Sequence, residues 1–567
     1  MNQKFIFCPI SMNNIQTIFE TFVETISLFE FTCVNNLFFI LACFSCVLNQ
    51  LTFSKQEKHC HSVSWNLKMK FLIIWLQLVL MSTSANILGI YPIPFHSHLQ
   101  FQEKIIKKLL HRGHNITVMI DGSFQSHDNL TQIRFETQKS LKEWDFTNFN
   151  LLRKWKLSKL WIEMSLKQMK NEKVQKLIHE AQTNNFDLII FEAHAFDSMM
   201  RFAEIYDCPI IISSATDASI HYHSIMGHEV NPELIGEDLV YCDVQGKATI
   251  LQRLSFISSY INECIDNRMI QMLDIYKKFK YFGMTTESIS QIEDRIALLI
   301  TNTHPALGHV RPTTNRIHAG FFDSEPPKPL LDEALNKFIG KSERGIIFMS
   351  FGTMVKTSNI HQNVVETFLR VFMSLNLSVI WKCDENELLQ KIPENVFITK
   401  WVEQVDLLAH SKMKLFISHG GINSIQEAII IEVPMLIIPH FFDQYRNAQM
   451  MNKKKCAVTL DLNEITEDNL KHSIIEALDP KYKENIRKLH EIVNDQPLTN
   501  QELVIWWIEN VIKHKGLDHI KYPGRNFPFY RKYFIDLICQ ALILVFIVRK
   551  LLKVFKKRNT VLHQKMN

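Results

Sequence analysis

At 567 residues the chain is long enough for two or three domains with substantial cores. A formal charge of +5 is close to balance and argues against a nucleic-acid partner. From Asn86 on, the cysteines are scattered without CxxC pairs or metal-ligand spacing, which excludes a disulfide scaffold; one bridge among Cys208, Cys242, Cys264, Cys383 and Cys456 stays open.

Residues 1–68 are expected to lie outside the functional chain. Their apolar stretch, Leu37 to Leu48, is short for a bilayer. Met69-Lys70 then opens a second pattern: a basic start, the apolar run Phe71 to Met81, and small Thr83-Ser84-Ala85. That is the form of a secretory signal peptide over residues 69–85, here placed internally. The rival reading is an N-terminal anchor with two apolar segments. Ile87 to Tyr91 reads as a buried strand, Pro92 to Ser97 as a loop, and His98 to His111 or Arg112 as a helix ended by Gly113. Asn115 to Ile120 is the next strand. Gly122 to Glu180 is irregular, helix-rich and aromatic, as a variable substrate-facing region would be. Phe186 to Phe191 is a strand ending at Glu192, and Cys208 to Ser214 is another. Thr216 to Arg295 is mostly helical, and Leu299-Ile300 leads into Asn302-Thr303-His304. The proline-rich run inside Phe322 to Glu333 is the clearest linker and marks the domain change.

In the second half, Gly345 to Ser350, Leu377 to Trp381 and Val396 to Thr399 read as strands. Trp401 to Gln449 is the densest stretch. Lys414 to Ser418 is a buried strand broken by His419-Gly420-Gly421; Asn423 is placed as N-cap of a helix from Ser424 to Glu432; the strand Pro434 to Pro439 ends in His440-Phe441-Phe442-Asp443-Gln444. Ligands of parallel α/β sheets bind at such strand ends, and the free N–H groups of a helix start favour a phosphate. Gly420 and Gly421 suit a diphosphate approaching the main chain, with His419 and Asn423 donating to its oxygens. Glu427 suits ribose hydroxyls, Asp443 and Gln444 a sugar ring, and Trp401 the face of a base. Ala457 to Leu462 is a further strand, with helices to about Lys515. Tyr533 to Val548 is apolar except for Asp536 and Gln540, and six cations from Arg549 to Arg558 follow without an acid. This predicts a membrane-spanning helix over 531–555, with the stems of Arg549 and Lys550 snorkelling, and a basic cytosolic tail over 556–567. An amphipathic surface helix is the rival. Asn115, Asn129 and Asn376 sit in N-x-S/T sequons.

The 401–449 stretch resembles the signature of the membrane-bound UDP-glycosyltransferases: (S/T)HGG at a strand end, then Asn, Glu four residues on, Pro after the helix, and Asp-Gln after the next strand. Here these are Ser418 to Gly421, Asn423, Glu427, Pro434 and Asp443-Gln444. The family's Trp-x-Pro-Gln appears as Trp401-Val402-Glu403-Gln404, with Glu403 for Pro, and the Gly that often follows the Asn is Ser424. The likeness extends from about Asn86 to the tail. Ser97-His98 and Arg112-Gly113-His114 match its N-terminal domain; Phe351-Gly352-Thr353 resembles its SxGS turn; Trp507-Ile508-Glu509 and His514-Lys515-Gly516 resemble its last lumenal helix.

The resemblance implies a GT-B type α/β fold: two Rossmann-like doubly wound domains, 86–325 for the acceptor and 326–530 for the UDP-sugar, facing across a cleft, plus the transmembrane helix. It implies a type I protein of the endoplasmic reticulum membrane with lumenal catalytic domains. Its partners are a UDP-sugar, a small lipophilic acceptor and the membrane, with no metal or other cofactor; a homo-oligomer is compatible. His98 is then the general base, since an imidazole accepts a hydroxyl proton near neutral pH. Glu192, standing where most members carry Asp, orients it, with Asp197 as second choice. Gly352 and Thr353 lend N–H groups to the phosphates, and Trp401, Gln404, His419, Gly421, Asn423, Ser424, Glu427, Asp443 and Gln444 form the donor site. The expected activity is inverting hexose transfer, glucose in preference to a uronate. The rivals are a non-catalytic membrane-anchored UDP-sugar-binding protein, supported by Glu at 192, and a UDP-sugar epimerase of similar architecture.

Overall fold

The computed structural model describes residues 84–566 except 137–150, 182–184, 194–196, 229–248, 283–286, 309–311, 323–325 and 389. The expected extension, all but the last two residues of the signal-like segment, and Cys242 therefore lie outside the described residues. Seven parallel strands build the first sheet: β1 (Asn86–Tyr91), β2 (Asn115–Ile120), β3 (Leu130–Arg134), β4 (Leu188–Glu192), β5 (Ile210–Ser214), β6 (Ile296–Thr301) and β7 (Arg316–His318). Their order is β3-β2-β1-β4-β5-β6-β7. Six more, β8 (Ile346–Ser350), β9 (Ser378–Lys382), β10 (Val396–Thr399), β11 (Met413–Ser418), β12 (Met435–Ile437) and β13 (Ala457–Thr459), form a second parallel sheet in the order β10-β9-β8-β11-β12-β13. In each sheet the chain begins at an inner strand and winds outward both ways, which places a crevice beside β1 and β4 and another beside β8 and β11. The central strands are buried throughout apart from Asn86 at the start of β1, as sheets covered on both faces require.

Three helices carry the site. Helix α1 (His96–His111) follows β1 and buries Phe101, Ile105, Ile106, Leu109 and Leu110. Helix α2 (Ile422–Ile430) follows β11, and α3 (Gln444–Lys453) follows β12. Helix α4 (Asn500–His514), which the linear reading leaves with the second half, contributes Val504, Ile505, Ile508 and Val511 to an apolar cluster with Ile87 and Ile190 of the first sheet. Two sequence fragments meet there: Glu509 lies 3.9 Å from Arg112 and 3.6 Å from His114.

The C-terminal helix α5 (Ile535–Met566) forms where a membrane span was expected, but no helix among the described residues is long and apolar enough to cross a membrane. The reason is charge spacing. The run Leu537 to Val548, between Asp536 and Arg549, covers roughly 18 Å at about 1.5 Å per residue, against about 30 Å of hydrocarbon. Among the described residues, Cys208, Cys264, Cys383, Cys456 and Cys539 take part in no disulfide. Asn129 and Asn376 are exposed, and so is Asn115, which opens β2 and donates to Asn86.

Candidate active site

Strands β1 and β4 are neighbours in parallel register, with Ile90 opposite Phe191, so their carboxyl ends finish side by side. Helix α1 starts just beyond β1 and presents His98; β4 ends on Glu192. Nδ1 of His98 lies 2.7 Å from Oε1 of Glu192, whose carboxylate is fully buried. The longer side chain thus reaches the imidazole, and the support that Glu at 192 lent to a non-catalytic protein falls away. Phe95 packs edge-on against the His98 ring at 5.5 Å and against Trp161 at 6.4 Å.

Asp197, the second choice for orienting His98, has other partners. Oδ2 accepts from Gln271 and pairs with His221 at 2.9 Å, and Oδ1 accepts from the Tyr222 hydroxyl. Burial pushes its pKa upward, but the His221 charge and the hydrogen bonds from His221, Tyr222 and Gln271 hold it below the usual Asp value. It begins a short 3-10 turn (Asp197–Arg201), which turns it toward the helix Ile250–Phe282 that carries Gln271.

At the second sheet, Trp401 is half-exposed. Nζ of Lys382 sits 4.2 Å from the centre of its ring, and its indole N–H donates to Glu403, the residue that stands for Pro. Gln404 donates to both Ser424 Oγ (3.1 Å) and Glu427 Oε2 (2.5 Å). Burial raises the Glu427 pKa, opposed by the Gln404 hydrogen bond and the charges of Lys104 and Lys382. Lys104 belongs to α1, and the ring of His96, first residue of α1, lies 6.1 Å from Trp401. Helix α1 therefore faces this pocket while holding His98.

Three expectations need correction. Asn423 is not the N-cap. Gly421 takes that position with extended backbone and no side-chain bond, so the first-turn N–H groups of α2 stay open. Asn423 sits inside the first turn, and its Oδ1 accepts from Asn302 beyond β6 (2.7 Å): a tertiary donor displaces local capping. The glycines also serve another purpose. A Cβ on Gly352 would come 2.9 Å from Cε1 of His419, and one on Gly421 2.7 Å from its Nε2, so both make room for the imidazole. The Gly352 N–H is engaged by Ser350 Oγ at 3.3 Å, which leaves exposed Thr353 as the better phosphate donor on that turn. Burial, with His440 and Lys382 nearby, pushes the His419 pKa down to about 3, so the ring is neutral at physiological pH. Gly421→Ala is expected to displace that ring and cost about 1–3 kcal/mol, read as a lower melting temperature; unchanged melting would show that the ring has room.

Asp443 and Gln444 also differ from expectation. They open α3 instead of a loop. Phe442, with φ +53°, turns the chain into the helix. Gln444 is buried, and its Oε1 accepts from the N–H groups of His440 and Phe441, leaving only its NH2 for a sugar. Asn447, one turn on, donates to both Asp443 and the Gly420 carbonyl. Lys382, Asn447, His96 and Asn302 were not singled out by the sequence; Lys382 lies at a β9 carboxyl end, where the strand-end rule would have found it.

The family model for UDP-glucoronosyl and UDP-glucosyl transferase matches residues 88–566. The chain is 31% identical to UDP-glucosyltransferase 2 of Dactylopius coccus, over 84% of this chain and 94% of that one. It is 27% identical to human UDP-glucuronosyltransferase 2B10, over 80% and 90%. The crystal structure of the kitacinnamycin glycotransferase superposes with a TM-score of 0.53 at 16% identity, covering 76% of this chain and 99% of that one.

Proposed function

The chain belongs to the UDP-glucuronosyl and UDP-glucosyl transferase family and is a UDP-glycosyltransferase; on that premise we propose that it transfers glucose, with inversion, to a hydroxyl of a small lipophilic acceptor. The observation that carries this is one helix serving two sites: α1 holds His98 against Glu192 and sets His96 against Trp401. With Nδ1 bound to the carboxylate, Nε2 takes the acceptor proton as the oxygen attacks the anomeric carbon from the face opposite UDP. The C1–O bond to the diphosphate breaks, and the leaving charge is met by His419, Asn423 and the open N–H groups of α2. Glucose is favoured over a uronate because Arg446, the cation one turn beyond Asp443, is already paired with Asp217 at 2.8 Å. The name of the glucosyltransferase relative points the same way. An apolar acceptor fits the aromatic wall of Phe95 and Trp161 beside His98.

Trp401 stacks on uracil, Glu427 holds the ribose, and Asp443 with Gln444 touches the sugar. Glu427→Ala is then expected to weaken UDP and UDP-glucose alike, by about ten- to a hundredfold for a lost hydrogen bond to a charged group. Gln444→Glu keeps the oxygen that caps the 440–441 loop but removes the NH2. It should bind UDP as wild type does and use UDP-glucose poorly. Calorimetric titration with each ligand separates the two; equal loss of UDP binding in both variants would mean that the sugar end is misassigned. Transfer of glucose to a library of phenols and alcohols tests the activity as a whole.

A further inference from the structure

Asn302 lies just past β6 and is 2% exposed. Its side chain joins the two sheets. Nδ2 donates to the Ala215 carbonyl (3.0 Å) and to Asn423 Oδ1 (2.7 Å), while Oδ1 accepts from Gln426 Nε2 (3.1 Å). Gln426 Oε1 in turn accepts from the Phe321 N–H at 2.9 Å. The chain of amides is thus Phe321 N–H, Gln426, Asn302, Asn423.

Both anchors of this chain have fixed polarity. A backbone N–H only donates, so the Gln426 oxygen must face Phe321 and its NH2 must face Asn302. A backbone carbonyl only accepts, so the Asn302 NH2 must face Ala215, and the same NH2 meets Asn423. Asn423 is left with its oxygen turned toward Asn302 and its own NH2 turned away. Gly320 leaves space for the arrangement: a Cβ there would lie 2.6 Å from the Thr303 carbonyl oxygen and 3.1 Å from Gln426 Nε2. An unconstrained asparagine at a phosphate site presents oxygen or nitrogen with similar ease, and oxygen repels the anion.

We infer that Asn302 is a positioning residue for the donor site: through a polarity relay anchored on Phe321 and Ala215, it fixes the Asn423 amide with its NH2 toward the diphosphate. This rests on the donor-site reading above. It also makes diphosphate binding depend on a residue of the first sheet, so the two halves are coupled at the phosphate without a charged contact.

Asn302→Asp reverses the relay. A carboxylate offers no hydrogen to Asn423, whose amide then turns its NH2 inward and its oxygen toward the diphosphate. Asn302→Ala only releases the amide. UDP affinity, measured calorimetrically, should fall about three- to tenfold in Asn302→Ala and further, about ten- to a hundredfold, in Asn302→Asp. In an Asn423→Ala background neither change should cost anything more, because the group being oriented is gone. A purely structural role would instead give losses that add. Melting without ligand identifies a variant that fails to fold. Should Asn302→Asp do so, Asn302→Ala alone, measured with and without Asn423→Ala, decides the question. Wild-type UDP affinity in Asn302→Ala, or additive losses, would overturn the relay and leave the donor site standing. No binding of UDP by the wild-type protein would overturn the donor site itself.

Discussion

Replacing His98 with alanine is expected to lower transfer by about 10²–10⁴-fold while UDP binding stays as it was. The split follows from geometry. His98 is held by Glu192 and Phe95 on the first sheet, whereas the groups assigned to UDP belong to the turn after β8 and to the loops and helices after β10, β11 and β12. Loss of the imidazole removes the acceptor for the hydroxyl proton and leaves Trp401, Gln404 and Glu427 untouched. Comparable loss of UDP affinity would place His98 in the donor site; near-normal turnover would remove it from the mechanism.

Glu192→Gln should lower kcat by about 10²-fold or more, because the amide no longer stabilises the imidazolium formed in the transition state. Asp197→Asn should behave in the opposite sense. Turnover in the folded enzyme should stay close to wild type, while stability falls, since Asp197 anchors Tyr222, Gln271 and His221 inside the first domain. Breaking such a buried network costs about 3–5 kcal/mol. Because the folded-state pKa of Asp197 is depressed, its contribution is present above the ordinary Asp value and is lost as pH falls through the lower one. Rates and melting curves of the two variants decide between the carboxylates. A larger kcat loss in Asp197→Asn would transfer the orienting role to it.

Much of this was legible because parallel α/β sheets write themselves as short apolar runs. β2 and β10 match their expected bounds residue for residue, and β1, β4 and β11 differ by one or two residues. The strands that escaped notice, Leu130–Arg134 and Arg316–His318, lie at the two edges of the first sheet; the first is interrupted by partly or fully exposed polar residues, and the second is three residues long with Ile317 between a cation and a histidine, so neither writes an apolar run. The Trp401 to Gln444 residues do gather, since they close consecutive strand ends. What spacing does not carry is direction. Asn423 reads as a cap until Asn302, distant in sequence, claims its oxygen; Gln444 reads as offering a sugar both oxygen and NH2 until two loop N–H groups claim the oxygen. Gly421 reads as room for a diphosphate, but the nearest atoms to be accommodated are those of the His419 imidazole, and for Gly420 they are those of Ile437. The choice between Glu192 and Asp197 was also beyond the sequence, because it turns on which way a five-residue 3-10 turn points. The C-terminal helix shows the opposite failure: an apolar, basic-flanked pattern reads as a span although its charges stand too close together.

The most direct test is the anomeric configuration of the product. With UDP-α-glucose and any acceptor that turns over, proton NMR of the isolated glucoside should show the β anomer, the outcome of one displacement driven by His98 on the face opposite UDP. An α-glucoside would contradict single displacement and with it the role assigned to the His98–Glu192 pair.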